Sequence, residues 1–176
     1  MKMDIVAGSK NDEFYTPVYA IKPILKYIPQ GSVVWCPFDT EQSNFVKMFN
    51  EKGCKTIATH ISNGKNFFAQ NVECDYIVSN PPYSLKADIL ARLFEIGTPF
   101  AMLVGVVGLF ESKKRFDMFK NNDFEIMYFN KRIAYFQNYD DEKPSLHPPF
   151  SSVYICHKIL PKQIIFEEVD TDASNN

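Results

Sequence analysis

Short apolar runs alternate along this chain with segments whose apolar residues recur every three or four positions, and that alternation most limits its fold. Val33-Val34-Trp35-Cys36 follows the turn signal Pro29-Gln30-Gly31. Phe45, Met48 and Phe49 share one face of a helix expected over 41–52, with Gly53 as its stop. A second strand is expected over 56–60 and a third over 75–79, the latter running straight into Asn80-Pro81-Pro82-Tyr83. Ile89, Leu90, Leu93 and Phe94 have helical spacing within 86–96, closed by Gly97. The stretch 100–107 is nearly all apolar, which suits a central strand covered on both faces. A charged helix over 111–121 follows, then strands near 124–129 and 152–159. This order predicts an α/β fold: a mostly parallel sheet between two helical layers. Ligands of such sheets bind beyond the carboxyl ends of the strands, where the strand order reverses. The informative residues are therefore Pro37-Phe38-Asp39 after the first strand, His60-Ile61-Ser62 after the second and Asn80-Pro81-Pro82-Tyr83 after the third.

At 176 residues the chain has the size of one domain, expected over 1–169 with a frayed polar tail over 170–176. Its 45% hydrophobic content and sixteen Phe with nine Tyr predict a packed, sheet-rich core with flat rings left for stacking. No apolar run is long enough to cross a bilayer and residues 1–11 lack the features of a signal peptide, so a cytoplasmic protein without a membrane partner is expected. Cys36, Cys54, Cys74 and Cys156 are scattered, without a CxxC pair or neighbouring histidines. They read as buried thiols in a reducing compartment, and no metal site is expected. A net charge of -2 excludes a protein that clings to nucleic acid over its whole surface. A local basic face remains compatible with it.

The chemistry is concentrated in Asn80-Pro81-Pro82-Tyr83. Two prolines directly after a buried strand have no N–H with which to continue the ladder, so they force a rigid turn. Asn80 then projects a side-chain carbonyl oxygen beside the backbone carbonyl of Pro81, and two fixed acceptors suit the two hydrogens of an –NH2 group. The lone pair of an aromatic amine is delocalised and attacks poorly. Accepting both hydrogens draws the nitrogen towards tetrahedral geometry and offsets its growing positive charge, an effect typically worth about 2.7–4 kcal/mol per well-placed group. Tyr83 offers a ring to a heterocycle, and base–aromatic stacking contributes roughly 1–3 kcal/mol.

Asn-Pro-Pro-Tyr after a strand resembles the catalytic motif of class I amino-methyltransferases, chiefly the adenine-N6 DNA methyltransferases and their phage-type relatives. The likeness runs over 13–159. Glu13-Phe14-Tyr15-Thr16-Pro17 resembles the segment before the first helix that holds the methionine carboxylate of S-adenosylmethionine. Trp35-Cys36-Pro37-Phe38-Asp39 stands where the family has its cofactor loop, and Gly64-Lys65-Asn66-Phe67-Phe68 resembles its Gly-x-Asp-Phe segment at the cofactor's adenine. Arg132-Ile133-Ala134-Tyr135-Phe136 and Pro149-Phe150-Ser151-Ser152-Val153-Tyr154 resemble its late strand segments. The resemblance implies a Rossmann-like class I fold and catalysis by Asn80, Pro81, Pro82 and Tyr83. It implies a cofactor site at Tyr15, Thr16, Pro17, Pro37, Phe38, Asp39, His60, Asn66 and Phe67.

Three departures from the family stand out. The glycine-rich cofactor turn is here Cys36-Pro37-Phe38-Asp39-Thr40-Glu41-Gln42, without glycine. The acid that grips the ribose is replaced by Thr59-His60, and the acid at the adenine by Asn66. No segment is long enough for a separate target-recognition domain, so loops must read a nucleic-acid partner, expected to be DNA. The candidates are 84–87, Lys113-Lys114-Arg115, Lys131-Arg132 and 138–149; the Lys113 to Arg115 run also reads as a solvated helix face. His147 falls in the proline-rich loop and His157 in a strand pattern, where a structural role is expected. The turn alone also admits RNA, cytosine N4 or a protein glutamine amide as acceptor, and the glycine-free loop admits a non-catalytic binding module of the same fold.

Overall fold

The computed structural model describes residues 14–138, 140–144 and 146–171. Glu13 of the opening motif, residues 1–11, Tyr139 and Ser145 of the proline-rich loop, and 172–176 of the expected tail lie outside the described residues. Seven strands form one sheet: β1 (Val33–Cys36), β2 (Lys55–Ala58), β3 (Tyr76–Ser79), β4 (Phe100–Gly105), β5 (Glu125–Phe129), β6 (Ser152–His157) and β7 (Ile164–Glu167). Their order is β2-β1-β3-β4-β6-β5-β7. Parallel pairing joins β2, β1, β3 and β4, as well as β5 and β7. Only β6, antiparallel to both β4 and β5, opposes the rest.

Alternation along the strands builds two cores. Val34, Cys36, Val78, Ala101, Leu103, Tyr154 and Cys156 face α1 (Val18–Leu25) and α2 (Asn44–Lys52). Trp35, Ile77, Phe100, Met102, Val104, Val153 and Ile155 face α3 (Lys86–Ile96) and α4 (Lys113–Asn121). Both faces are thus covered, which is why β4 is buried along its whole length. The three-layer α/β architecture expected from the alternation is present.

Most expected elements occur, with shifted ends. α2 starts at Asn44 because Ser43 caps it, accepting from Phe45 N, and it stops at Gly53 in the left-handed region. β4 stops at Gly105, two residues early, and α4 begins at Lys113 after the Ser112 cap. His157 closes β6, its ring stacked on Phe100 and its Nδ1 2.5 Å from the carbonyl of Asp123, in the structural role expected. All four cysteines are free thiols, with Cys36, Cys54 and Cys156 buried. Among the described residues no helix is long and apolar enough to cross a membrane.

The chain leaves β1 for β2 on one side and returns to lay β3 on the other. Strand order therefore reverses between β1 and β3, whose carboxyl ends are Cys36 and Ser79. That places the loop after β1 beside the Asn80 turn. Leu93, fully buried on α3, and Phe166, 79% exposed on edge strand β7, give a test of where the core lies. Leu93→Ala should lower unfolding free energy by about 2–5 kcal/mol in urea titrations, whereas Phe166→Ala should change it by no more than about 0.5 kcal/mol.

Candidate active site

The turn after β3 puts Asn80 where the opening segment can hold its amide nitrogen. Asn80 Nδ2 donates to the carbonyl of Phe14 at 2.8 Å and to Oγ1 of Thr16 at 3.1 Å. A carbonyl only accepts, so this contact fixes which end of the amide is nitrogen. The other end, Oδ1, is buried and has no hydrogen-bond partner. An acceptor left in this state costs about 1–3 kcal/mol and suits a donor that arrives with a ligand.

The opening segment is itself pinned. Tyr15 exchanges two backbone hydrogen bonds with Phe136, and the carbonyl of Thr16 accepts from Nδ2 of Asn44 on α2 at 2.9 Å. Pro17, buried, sits at the start of α1. Tyr15, Thr16 and Pro17 are thus brought to the turn after β3, with Thr16 binding Asn80 directly.

Rings cluster on Tyr83, three residues after Asn80. Tyr83 stacks on Phe14 with centroids 5.0 Å apart and planes 23° apart, and meets Phe150 edge-on at 5.5 Å. Phe150 reaches this place because Gly105 has no side chain; a Cβ there would lie 2.9 Å from the Phe150 ring. The Tyr83 hydroxyl is 2.8 Å from that of Tyr135, which lies 2.6 Å from Oγ of Ser152. Burial pushes the Tyr135 phenol well above its ordinary range, so this chain of hydroxyls stays neutral. Pro81 is buried and Pro82 leads into a 3-10 turn, Tyr83–Leu85, that runs on into α3. In the first turn of α3, the buried ammonium of Lys86 donates to the carbonyls of Gly105 and Val107 at the exit of β4. Burial, then the Arg115 charge, lowers its pKa.

The expected cofactor residues gather at the exits of β1 and β2. The Asp39 N–H donates to the Thr59 carbonyl, and its buried carboxylate accepts from Ser43 Oγ and Ser79 Oγ, both at 2.5 Å. Burial raises the Asp39 pKa to about 6, opposed by those two hydrogen bonds. Pro37 is buried, and half-buried Phe38 lies 5.1 Å from the ring of Phe67, which also packs on Trp35. Thr59 is committed to the core, since its Oγ1 accepts from the Trp35 indole. His60 Nδ1 accepts from Ser62 N, and Asn66 Oδ1 accepts from Phe68 N, each capping a short 3-10 turn. The Phe38 and Phe67 rings are thus in contact, with Phe67 buried. His60 and Asn66 each hold their own turn, and the Thr16 segment is tied to Asn80 and Asn44. The glycine-free loop is instead shaped by Asp39.

The basic residues lie on the same rim, beyond the ends of β4 and β5, but are partly engaged within the molecule. Lys113 pairs with Asp117 at 2.6 Å, Lys114 pairs with Asp88, and Arg115 donates to the carbonyl of Gly108. Lys131 and Arg132 are exposed on the bend after β5. No group of side chains able to hold a metal occurs among the described residues. Sequence reasoning passed over Ser43, Ser79 and Gly105, and it placed Lys86 in a substrate-reading loop over 84–87, whereas α3 begins at Lys86 and buries it. A hydroxyl in the buried strand end directly before Asn80 was the available signal for Ser79.

No protein-family model matches the sequence, and no curated protein matches it. Solved structures do. A modification subunit assigned to a type I restriction enzyme of Vibrio vulnificus YJ016 superposes with a TM-score of 0.59 at 12% identity, covering 92% of this chain and 48% of that one. The methyltransferase subunit of a type I restriction-modification system from Streptococcus thermophilus gives 0.53 at 12% identity, covering 94% and 49%. The fold is the Rossmann-like one of these methyltransferase subunits. This chain spans about half the length of each.

The hydroxyl chain predicts a ranking. Tyr135→Phe removes the central hydroxyl and strands both neighbours, costing about 1–3 kcal/mol, whereas Tyr83→Phe trims the end of the chain and should cost about 0.5–1.5 kcal/mol. Denaturant unfolding of the two variants checks the order.

Proposed function

We propose that this protein is an S-adenosylmethionine-dependent methyltransferase acting on the exocyclic N6 amino group of adenine in DNA. The observation that carries the reading is the Asn80 amide, whose nitrogen is held by Phe14 and Thr16 and whose buried oxygen has no partner. A buried acceptor without a partner is held at a cost that an amine hydrogen would relieve once the substrate displaces what covers it. The electrophilic methyl group is supplied by S-adenosylmethionine. Asn80 Oδ1 and the Pro81 carbonyl accept the two amine hydrogens, and the proton is lost to solvent after transfer, so no strong base is required.

Adenine is favoured over a glutamine amide by the rings of Phe14, Tyr83 and Phe150 clustered at the turn that carries the acceptor, because a flat heterocycle gains from each ring and an amide side chain does not. DNA is favoured by the likeness to modification subunits of restriction systems. Lys131 and Arg132, exposed on the site's rim, supply phosphate contacts, and the small basic area implies weak binding that salt disrupts. Extrusion of a base costs a few kcal/mol, which favours single-stranded or distorted substrate. The cofactor is assigned to Tyr15 to Pro17, Pro37, Phe38, His60, Asn66 and Phe67, with buried Asp39 shaping the loop that carries Pro37 and Phe38.

Steady-state kinetics with detection of the methylated product test this reading. Asn80→Ala should lower the rate of methyl transfer by roughly 10²–10³-fold with substrate affinity little changed, because the lost acceptor matters most in the transition state. Tyr83→Ala should weaken binding as well as turnover. An Asn80→Ala variant that methylates as fast as the parent contradicts the mechanism.

A further inference from the structure

Among the described residues Asp39 is the one buried acidic side chain, and from the loop after β1 its contacts reach three further elements. Its N–H bonds the Thr59 carbonyl just after β2. One carboxylate oxygen accepts from Ser43, which caps α2 by accepting from Phe45 N. The other accepts from Ser79, the last residue of β3, whose oxygen also accepts from Phe38 N at 3.3 Å. Ser79 is fully buried and is followed directly by Asn80. The loop after β1 has no glycine to let it settle close to the strands, so this carboxylate and two hydroxyls define its path.

Resting on the methyltransferase reading, we propose that Asp39 is a positioning residue: by gripping Ser43 and Ser79 together, it locks the loop after β1 to the strand end that presents Asn80. The direction of every bond in this clip follows from the donors. Phe38 N–H and Phe45 N–H each donate to a serine oxygen, so each serine hydroxyl turns its own hydrogen to the carboxylate. Both carboxylate oxygens must therefore accept, and the ionised form fits the network. A protonated Asp39 would instead donate to one serine oxygen, whose own hydrogen must then turn to another acceptor, so the two-armed grip on serine donors is rearranged.

Burial opposes the ionised form, so in mild acid, at about pH 6, the grip on two serine donors gives way to one arm that donates and one that accepts. The titratable groups that feel the Asp39 charge are Cys36 on β1 and Tyr154 on β6, both buried and held neutral, while Glu41 on the same loop acts on Cys36. The stability consequence has the opposite sign to the functional one. Because the folded pKa lies above the unfolded value, the contribution of Asp39 to stability is full below about pH 4 and is lost as pH rises through about 6. Asp39→Asn should therefore gain thermal stability relative to the parent between pH 5 and pH 7.5, while its function declines. A residue that only supports the fold would move both together.

The test combines a measurement that needs no turnover with one that does. In the parent protein, the Asn80 side-chain amide resonances should titrate with a midpoint near pH 6, and in Asp39→Asn and Ser79→Ala they should not. In the methylation assay, Asp39→Asn should lower kcat on the order of 10²-fold with KM for the nucleic acid unchanged, and should remove the acid limb of the kcat profile near pH 6. Ser79→Thr, which keeps the hydroxyl, should retain more activity than Ser79→Ala. A titrating amide in a protein that transfers no methyl group supports the clip and counts against the methyltransferase reading alone. Asn80 resonances unchanged between pH 5 and 7.5 in the parent overturn the clip, as does an Asp39→Asn variant with the parent's kcat and pH profile.

Discussion

Asn80 offers its oxygen because its nitrogen is already held. An amide free to rotate would present either end, and a buried amide with both ends satisfied would present neither. Here the carbonyl of Phe14 and the hydroxyl of Thr16 take the nitrogen, leaving Oδ1 buried and unpaired. The rest of the molecule is arranged to make that possible. Phe14 and Thr16 keep their places through the Tyr15–Phe136 bridge and the Asn44 bond to α2, and Asn80 keeps its place because two prolines end β3 abruptly.

The same carboxyl edge of the sheet carries an unusual share of the buried polar chemistry. Asp39 with its two serines, the Tyr83–Tyr135–Ser152 hydroxyls and the Lys86 ammonium all join strand ends to loops. Each group is costly to bury unless its partners are in place, so such networks fix one geometry at some expense in stability. The apolar cores on the two faces of the sheet offset that expense. Division of labour follows: packing makes the fold stable, and the polar ties between strand ends make the site specific.

Much of this was legible in the sequence. β1 and α3 occupy the residues their patterns indicated, and Gly53 and Gly97 end their helices in the left-handed region, where glycine carries no side-chain penalty. Edge strand β7 was missed because Phe166 and Ile164 point outward, so no core-facing pattern marks it. Helix α1 was passed over although Ile21, Ile24 and Leu25 have helical spacing, because Pro23 sits inside it and removes a helix hydrogen bond. In the site, the position of the Asn80 turn at the end of β3 was readable because strand and prolines are adjacent in sequence. The Asp39 clip was not: Ser79 is 40 positions away, and only the parallel arrangement of β1 and β3 brings the two together. The bend carrying Lys131 and Arg132 falls on the same edge of the sheet as Asn80 for the same reason, through the direction of β5.

The central claim, that an unpaired amide oxygen beside stacked rings receives the amino group of a nucleobase, is tested most directly by the identity of the product. Unmethylated duplex DNA, single-stranded DNA and RNA would each be incubated with the protein and S-adenosylmethionine, digested to nucleosides and analysed by mass spectrometry. The account predicts N6-methyladenine in DNA, with single-stranded substrate at least as good as duplex. Methylation confined to cytosine, to RNA or to protein, or no methylated nucleoside at all from a folded sample, would contradict it.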